Sequence, residues 1–137
     1  MRTRIAAIAV AIAATLAAPA SAFADSAAEV STGSTVCAAE SAAGRPCVWQ
    51  ERDDEGVTGL ARLTPADSRP VLAKVEIKTQ RAWGSSWLTV ASTTSLRSGT
   101  SVLATPKVAT GDLSIVCVTT APAFDLAQQV TTCTHPS

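Results

Sequence analysis

Four cysteines, Cys37, Cys47, Cys117 and Cys133, constrain this chain more than any other feature of its sequence. In an oxidising compartment an even number of cysteines pairs into disulfides. Their spacing does not match the short C-x2–4-C knuckles of structural zinc sites, so we interpret them as cystines and predict neither a metal nor a cofactor. Each cystine should stabilise the fold by about 2–4 kcal/mol, because it restricts the unfolded chain.

The pairing of these cysteines has three possible forms. We favour Cys37–Cys47 with Cys117–Cys133, because each pair is close in sequence and flanks residues that form turns, Gly44-Arg45-Pro46 in one loop and Pro122 in the other. The nested alternative, Cys37–Cys133 with Cys47–Cys117, would tie the two ends of the domain together. The sequence leaves that alternative open.

Residues 1–22 have the pattern of an N-terminal signal peptide, and export would place the four cysteines in an oxidising compartment. Arg2 and Arg4 are followed by an uncharged, alanine-rich run over residues 5–18, which is shorter than the ~20 strongly apolar residues of a transmembrane helix. Ala20-Ser21-Ala22 then supplies the small residues that signal peptidase accepts. We therefore predict cleavage after Ala22 and a secreted, extracellular product.

The mature chain has the size of one domain. Cleavage after Ala22 leaves 115 of the 137 residues, with nine basic against eleven acidic side chains and a net charge of −2. Such a surface has no electrostatic reason to bind nucleic acid or a membrane. Residues 23–36 are small, polar and unpatterned, so we predict a flexible segment there. Residues 37–137 then form the single domain.

Hydrophobic periodicity predicts β-strands throughout this domain. The clearest signal lies in residues 72–83, where apolar and charged residues alternate with the period of two that a half-buried strand requires. Gly84-Ser85 and a second β-rich run, residues 87–91, complete a predicted hairpin with a type II′ turn. No window outside the signal peptide has helical periodicity. Further strands are predicted at 48–52, 57–63, 101–104, 107–109, 113–120 and 129–134.

Several short strands separated by turns are typical of a small antiparallel β-sandwich or barrel, and we predict an all-β sandwich. Two runs carry a resemblance to a known family: VEIKTQRAWGSSWLTVAS (75–92) and GDLSIVCVTTAP (111–122). Over residues 70–121 the chain resembles the immunoglobulin-like and fibronectin-III-like modules of bacteria. The resemblance implies an immunoglobulin-like sandwich and transfers no functional residue. The signal peptide is similar to those of high-GC Gram-positive bacteria.

Catalytic residues are not recognisable in the sequence. His135 is the one histidine, and no nucleophile elbow, H-E-x-x-H motif or phosphate-binding loop accompanies it. The acidic run Glu51–Glu55 lacks the spacing of a calcium loop, so we interpret it as a solvated turn. We therefore predict a protein that is not an enzyme.

Trp83 and Trp87 are the best candidates for a binding surface, because exposed tryptophans near a hairpin tip stack on sugars or anchor protein partners. The alternative is that at least one of them packs into a core poor in aromatic residues. We expect a secreted binding module for an extracellular protein or glycan. An inhibitor of an extracellular hydrolase, acting through loop 44–47 or 104–107, is the second hypothesis, and a small enzyme is the third.

Overall fold

The computed structural model describes residues 31–137, so the predicted signal peptide and residues 23–30 of the predicted flexible segment lie outside it. The described residues contain no helix, and hence none long and apolar enough to cross a membrane. They form nine β-strands: β1 (Ser31–Thr32), β2 (Val36–Cys37), β3 (Cys47–Asp53), β4 (Gly56–Leu63), β5 (Val71–Gln80), β6 (Leu88–Arg97), β7 (Ser101–Ala104), β8 (Leu113–Pro122) and β9 (Val130–Cys133).

The strands form two antiparallel sheets that face each other. The first sheet has the order β1-β3-β4-β7, with β2 also paired to β3, and the second has the order β6-β5-β8-β9. Consecutive strands β3 and β4 form one hairpin, and β5 and β6 form the other long one. The prediction of an all-β fold with antiparallel sheets and two disulfides is confirmed.

The chain passes from one sheet to the other after β4, after β6 and after β7. Neither disulfide crosses the core, because each joins neighbouring strands of one sheet. The disulfide that links the two sheets of antibody domains therefore has no counterpart here. The resemblance to immunoglobulin-like modules rested on a local hairpin, and a hairpin fits many antiparallel topologies, so this finer part of the fold stays a prediction.

Small β-branched and alanine side chains fill the space between the sheets. In β5, Val71, Ala73, Val75 and Ile77 point inward, while the alternate residues lie at the surface, as the period of two requires. Gly59 of β4 lies against Val116 and Ile77 of the facing sheet, too close for a Cβ to fit without a shift. The core consists of Val48, Val57, Ala61, Leu63, Ala73, Val75, Ile77, Leu103, Val116 and Val118.

Each disulfide joins residues that lie directly opposite each other on neighbouring strands. Cys37 of β2 is bonded to Cys47 of β3, and Cys117 of β8 is bonded to Cys133 of β9. This is the pairing that the sequence favoured. Each bond therefore attaches a short edge strand to a longer neighbour, which a strand of two or four residues needs because it makes few ladder hydrogen bonds of its own.

Four segments differ from the sequence prediction. Residues 31–32 and 36–37, predicted to be flexible or to begin the domain, pair with β3. The candidate strand 107–109 is a single bridge between Val108 and Val57, because Pro106 cannot donate to a ladder. β6 continues to Arg97, six residues beyond its predicted end, since its serine and threonine residues suit an exposed strand.

A polar network closes one end of the sandwich. Arg52 donates from Nη2 to the Ser114 hydroxyl at 3.0 Å, and that hydroxyl donates to Gln50 Oε1 at 3.0 Å. The Gln50 amide nitrogen also donates to the hydroxyl of Ser137, whose backbone pairs with that of Ser114. Because Gln50 and Ser114 are buried, these bonds satisfy groups that would otherwise destabilise the core.

Substitution of Gly59 by alanine tests the close approach of the sheets. A Cβ at this position would lie 2.8 Å from Val116 Cγ1 and 3.2 Å from Ile77 Cγ1, so the core would have to shift. We expect Gly59→Ala to lower the free energy of unfolding by about 1–3 kcal/mol in urea denaturation. Gly111→Ala is the matched control, because a Cβ there meets nothing within 4 Å. Equal stability of both variants would contradict this packing.

Thr120 provides a second test of the core. Its hydroxyl is buried and has no hydrogen-bond partner among the described residues. We expect the isosteric change Thr120→Val to raise the free energy of unfolding by about 1 kcal/mol, because an unpaired polar group leaves the core. Ser114→Ala should instead lower the free energy of unfolding, since it breaks the hydrogen bonds to Arg52 and Gln50. Loss of stability in Thr120→Val would show that the hydroxyl has a partner.

Candidate functional site

The tip of the β5–β6 hairpin is a tight turn over Ala82–Ser85. The Ser85 N–H donates to the Ala82 carbonyl at 3.1 Å, and the Ser85 hydroxyl donates to the same carbonyl at 2.7 Å. Gly84 has a φ of 82° at the third position, as a type II turn requires. The predicted type II′ turn centred on Gly84-Ser85 is therefore wrong. The central pair is Trp83-Gly84, which places Trp83 at the tip.

Trp83 projects from this turn into solvent. Its side chain is 90% exposed, the highest value among the large hydrophobic residues described. Trp87 follows the turn and is half-buried. The structure therefore excludes Trp83 from the core and leaves Trp87 as a partly packed residue just before β6. The two tryptophans, predicted as one surface, differ in their environments.

An open cleft of about 400 Å³ lies beside the tip, between β6 and the segment that follows β7. Leu88 and Val90 of β6 form one wall, and Val108 and Ala109 form part of the other. Leu88 is 61% exposed and Val90 is 44% exposed, although both belong to a strand. Val90 is also the extra residue of a β-bulge opposite Ile77 and Lys78, which bends the strand at this point.

A smaller depression of about 200 Å³ adjoins the cleft and is lined in part by Trp83. Arg81 and Asp112 line both spaces. Neither forms a salt bridge with any residue of the range 31–137. The tip thus combines an exposed indole with a guanidinium and a carboxylate that can each bond to a partner.

The far wall of the cleft is held by hydrogen bonds to the first sheet. Val108 and Val57 exchange backbone bonds of 2.9 and 2.8 Å, and Arg52 donates from Nη1 to the Thr110 carbonyl at 3.0 Å. The wall is therefore a fixed surface, which favours binding because little conformational entropy is lost when a partner docks. We define the tip site as Arg81, Trp83, Leu88, Val90 and Asp112 with this wall.

The two loops nominated for an inhibitor are held against the sandwich. In loop 44–47, Pro46 is buried and the Arg45 N–H donates to the Thr64 carbonyl at 3.0 Å. In loop 104–107, Thr105 is buried and exchanges bonds with the backbone of Gly59. Both loops are thus bonded to the sandwich, whereas the tip of the β5–β6 hairpin carries the exposed Trp83.

The acidic turn after β3 is tied to Lys107. The pKa of the Asp53 carboxyl lies below its usual value, chiefly because Lys107 donates a hydrogen bond to it, with the Glu55 and Gly56 N–H groups as further donors. The pKa of Lys107 is raised by its bonds to Asp53 and Glu55. These carboxylates are thus engaged in closing their own turn. Within residues 31–137 no group of three potential metal ligands lies together.

His135 is exposed and lies apart from the tip site. It lines a shallow cavity of about 260 Å³ with Gln50, Thr134 and Ser137, among others, and that lining contains no carboxylate side chain. A histidine base needs an orienting partner and a nucleophile within hydrogen-bond reach. The described residues around His135 do not provide that arrangement.

Comparison with known proteins finds no family model that matches the chain, and no curated protein or solved structure that matches it. An assignment of function therefore rests on the geometry of the tip site.

Sequence reasoning identified Trp83 but missed the rest of the tip site. Leu88 and Val90 lie in an apolar run that is typical of a core strand, and no local signal shows that this strand is largely exposed. Arg81 and Asp112 are 31 positions apart and meet only because β5 pairs with β8. The Gly-Asp pair before β8 was recognised only as a turn.

Alanine substitution of each tryptophan should separate their environments. We expect Trp83→Ala to change the free energy of unfolding by less than about 0.5 kcal/mol, because the exposed indole loses almost no packing. Trp87→Ala should cost about 1–2 kcal/mol, because that side chain is half-buried. Urea denaturation followed by circular dichroism measures both values. A large loss in Trp83→Ala would place its indole inside the structure.

Proposed function

We propose that the mature chain is a secreted, non-catalytic binding module that engages an extracellular protein or glycan through the tip site. The observation that carries the proposal is the exposure of Trp83 at a braced hairpin tip. Tryptophan carries a large apolar surface that proteins seldom leave in water unless it contacts a partner. The signal-peptide pattern and the two disulfides support export to an oxidising compartment.

The surroundings of Trp83 fit a binding role. Leu88 and Val90 offer apolar contact next to the indole, while Arg81 and Asp112 offer hydrogen bonds that orient a ligand. Interfaces combine these features, an aromatic anchor at the centre and polar groups around it. The turn is already closed by the bonds of Ser85, so the anchor is held in place before a partner binds.

The same geometry favours a binding module over the two other hypotheses, an inhibitor of a hydrolase and a small enzyme. Inhibition of a hydrolase would have to act through the hairpin tip, because the loops 44–47 and 104–107 are bonded to the sandwich. A small enzyme would need a nucleophile and a base within reach of each other. Arg81 and Asp112 have no histidine, cysteine thiol or lysine beside them in either depression.

Affinity capture tests the proposal. Oxidised protein beginning at Phe23 is immobilised and exposed to culture supernatant and cell-wall fragments of the producer and its neighbours, and retained material is identified by mass spectrometry. The binding constant of the retained partner is then measured. We expect Trp83→Ala to weaken it about 30-fold, since loss of a central tryptophan typically costs 2 kcal/mol or more.

Phe124→Ala is the matched control, because Phe124 is also an exposed aromatic residue but lies in the β8–β9 connection, outside the tip site. Wild-type affinity in this variant and loss in Trp83→Ala would support the proposal. Equal retention by wild type, Trp83→Ala and the reduced protein would refute it. Turnover of a substrate that disappears in His135→Ala would replace it with an enzymatic function.

A further inference from the structure

The outer side of β6 is the longest uncovered edge of the described sandwich. β6 has ten residues, ends the order of the second sheet, and pairs only with β5. Within the described range no backbone hydrogen bond joins its other side to any segment. A strand in this position presents a row of free N–H and C=O groups, which is a template for another strand.

The other edges of the two sheets are short. β1 and β2 have two residues each, β7 and β9 have four, and disulfides hold β2 and β9 to their neighbours. Short length is one of the means by which proteins prevent unwanted strand pairing. β6 lacks that protection and contains neither proline nor lysine. Its bulge at Val90 disrupts one end and leaves Ala91–Arg97 regular.

The side chains of β6 permit pairing of this strand with its own copy. Nine of its ten residues are uncharged, and the single charge, Arg97, lies at the end of the strand. In an antiparallel self-pair the two arginines lie at opposite ends, so no like charges face each other. The remaining residues are mostly serine and threonine, whose hydroxyls form favourable cross-strand pairs. The net charge of −2 on the mature chain adds little repulsion.

Exposed apolar residues follow the same edge. Leu88, Val90 and Leu96 are 61%, 44% and 58% exposed, and together with Trp83 they are four of the seven large hydrophobic residues exposed in the described chain. A second strand laid along β6 would remove part of this surface from water, which stabilises the complex in proportion to the apolar area buried. The concentration of apolar exposure on one edge distinguishes it from the rest of the surface.

We propose that β6 pairs antiparallel with β6 of a second copy of this chain, about a two-fold axis that crosses the strand. The two four-stranded sheets become one continuous eight-stranded sheet. Because β6 extends over about 34 Å, the two hairpin tips lie at opposite ends of the interface. The dimer therefore presents two Trp83 side chains to one extended partner, and linked sites bind such a partner more tightly than single ones.

Sedimentation velocity of the oxidised mature protein over a range of concentrations tests this proposal. We expect a monomer–dimer equilibrium in which the dimer forms as the concentration rises. Hydrogen exchange of the β6 amides should slow in parallel, because amides on the free edge become bonded only in the dimer. Neither measurement depends on the partner of the tip site, so a failure here is separate from a failure of the proposed function.

Ser92→Lys should raise the dimer dissociation constant at least about tenfold, because each copy then carries a lysine near the middle of the paired strand. Ser92 lies opposite Glu76 in β5, so the fold tolerates the new charge. Thr94→Asp, opposite Lys74, is a second variant of the same design. Thr131→Lys on β9, the other edge of this sheet, is the matched control and should dimerise as the wild type does.

Three results would overturn the proposal. If the wild-type protein stays monomeric at the highest soluble concentration, β6 does not pair with its own copy, and its edge is open to a strand from a different protein. A dimer that persists unchanged in both β6 variants, with the fold intact by circular dichroism, would use another surface. Dimerisation that is lost in Thr131→Lys and retained in Ser92→Lys would move the interface to β9.

Discussion

Close packing of two sheets through small side chains is the constraint on which this structure depends. Valine and alanine dominate the facing surfaces, and Gly59 lies where a Cβ would collide with Val116. A core built in this way is thin, and no aromatic side chain belongs to the buried core of the described chain. Its tryptophans and Phe124 must therefore lie at the periphery. The exposure of Trp83 follows from this constraint together with its place in a type II turn.

The disulfides complement this thin core at its edges. Each bond connects neighbouring strands of one sheet, and each anchors a strand too short to hold its place by hydrogen bonding alone. β6 needs no such anchor, because ten residues form a long ladder with β5. The edges of the two sheets therefore differ in length and in how they are held. Most edges are short or cystine-bound, whereas the β6 edge is long, uncharged along most of its length and open.

The two surfaces proposed for interaction share one structural origin. Both belong to the β5–β6 hairpin, whose tip exposes Trp83 and whose outer strand exposes Leu88, Val90 and Leu96. The first surface has an anchor and polar neighbours suited to a foreign partner. The second has unpaired backbone groups suited to another strand. A dimer that forms through the β6 edge would carry two copies of the tip site. Dimerisation and partner binding would therefore be coupled.

The sequence by itself determined the local structure of this protein. Alternation of apolar and charged residues specified β5, shorter β-rich runs indicated β3, β4 and β8, glycine and proline marked the turns, and cysteines close in sequence indicated the disulfide pairs that the structure contains. Only the tertiary structure decided which strands are neighbours, that β6 is an edge, and that Arg81 and Asp112 flank Trp83. The physical reason is that periodicity reports which face of a strand is buried, whereas strand order depends on contacts between residues far apart in the chain.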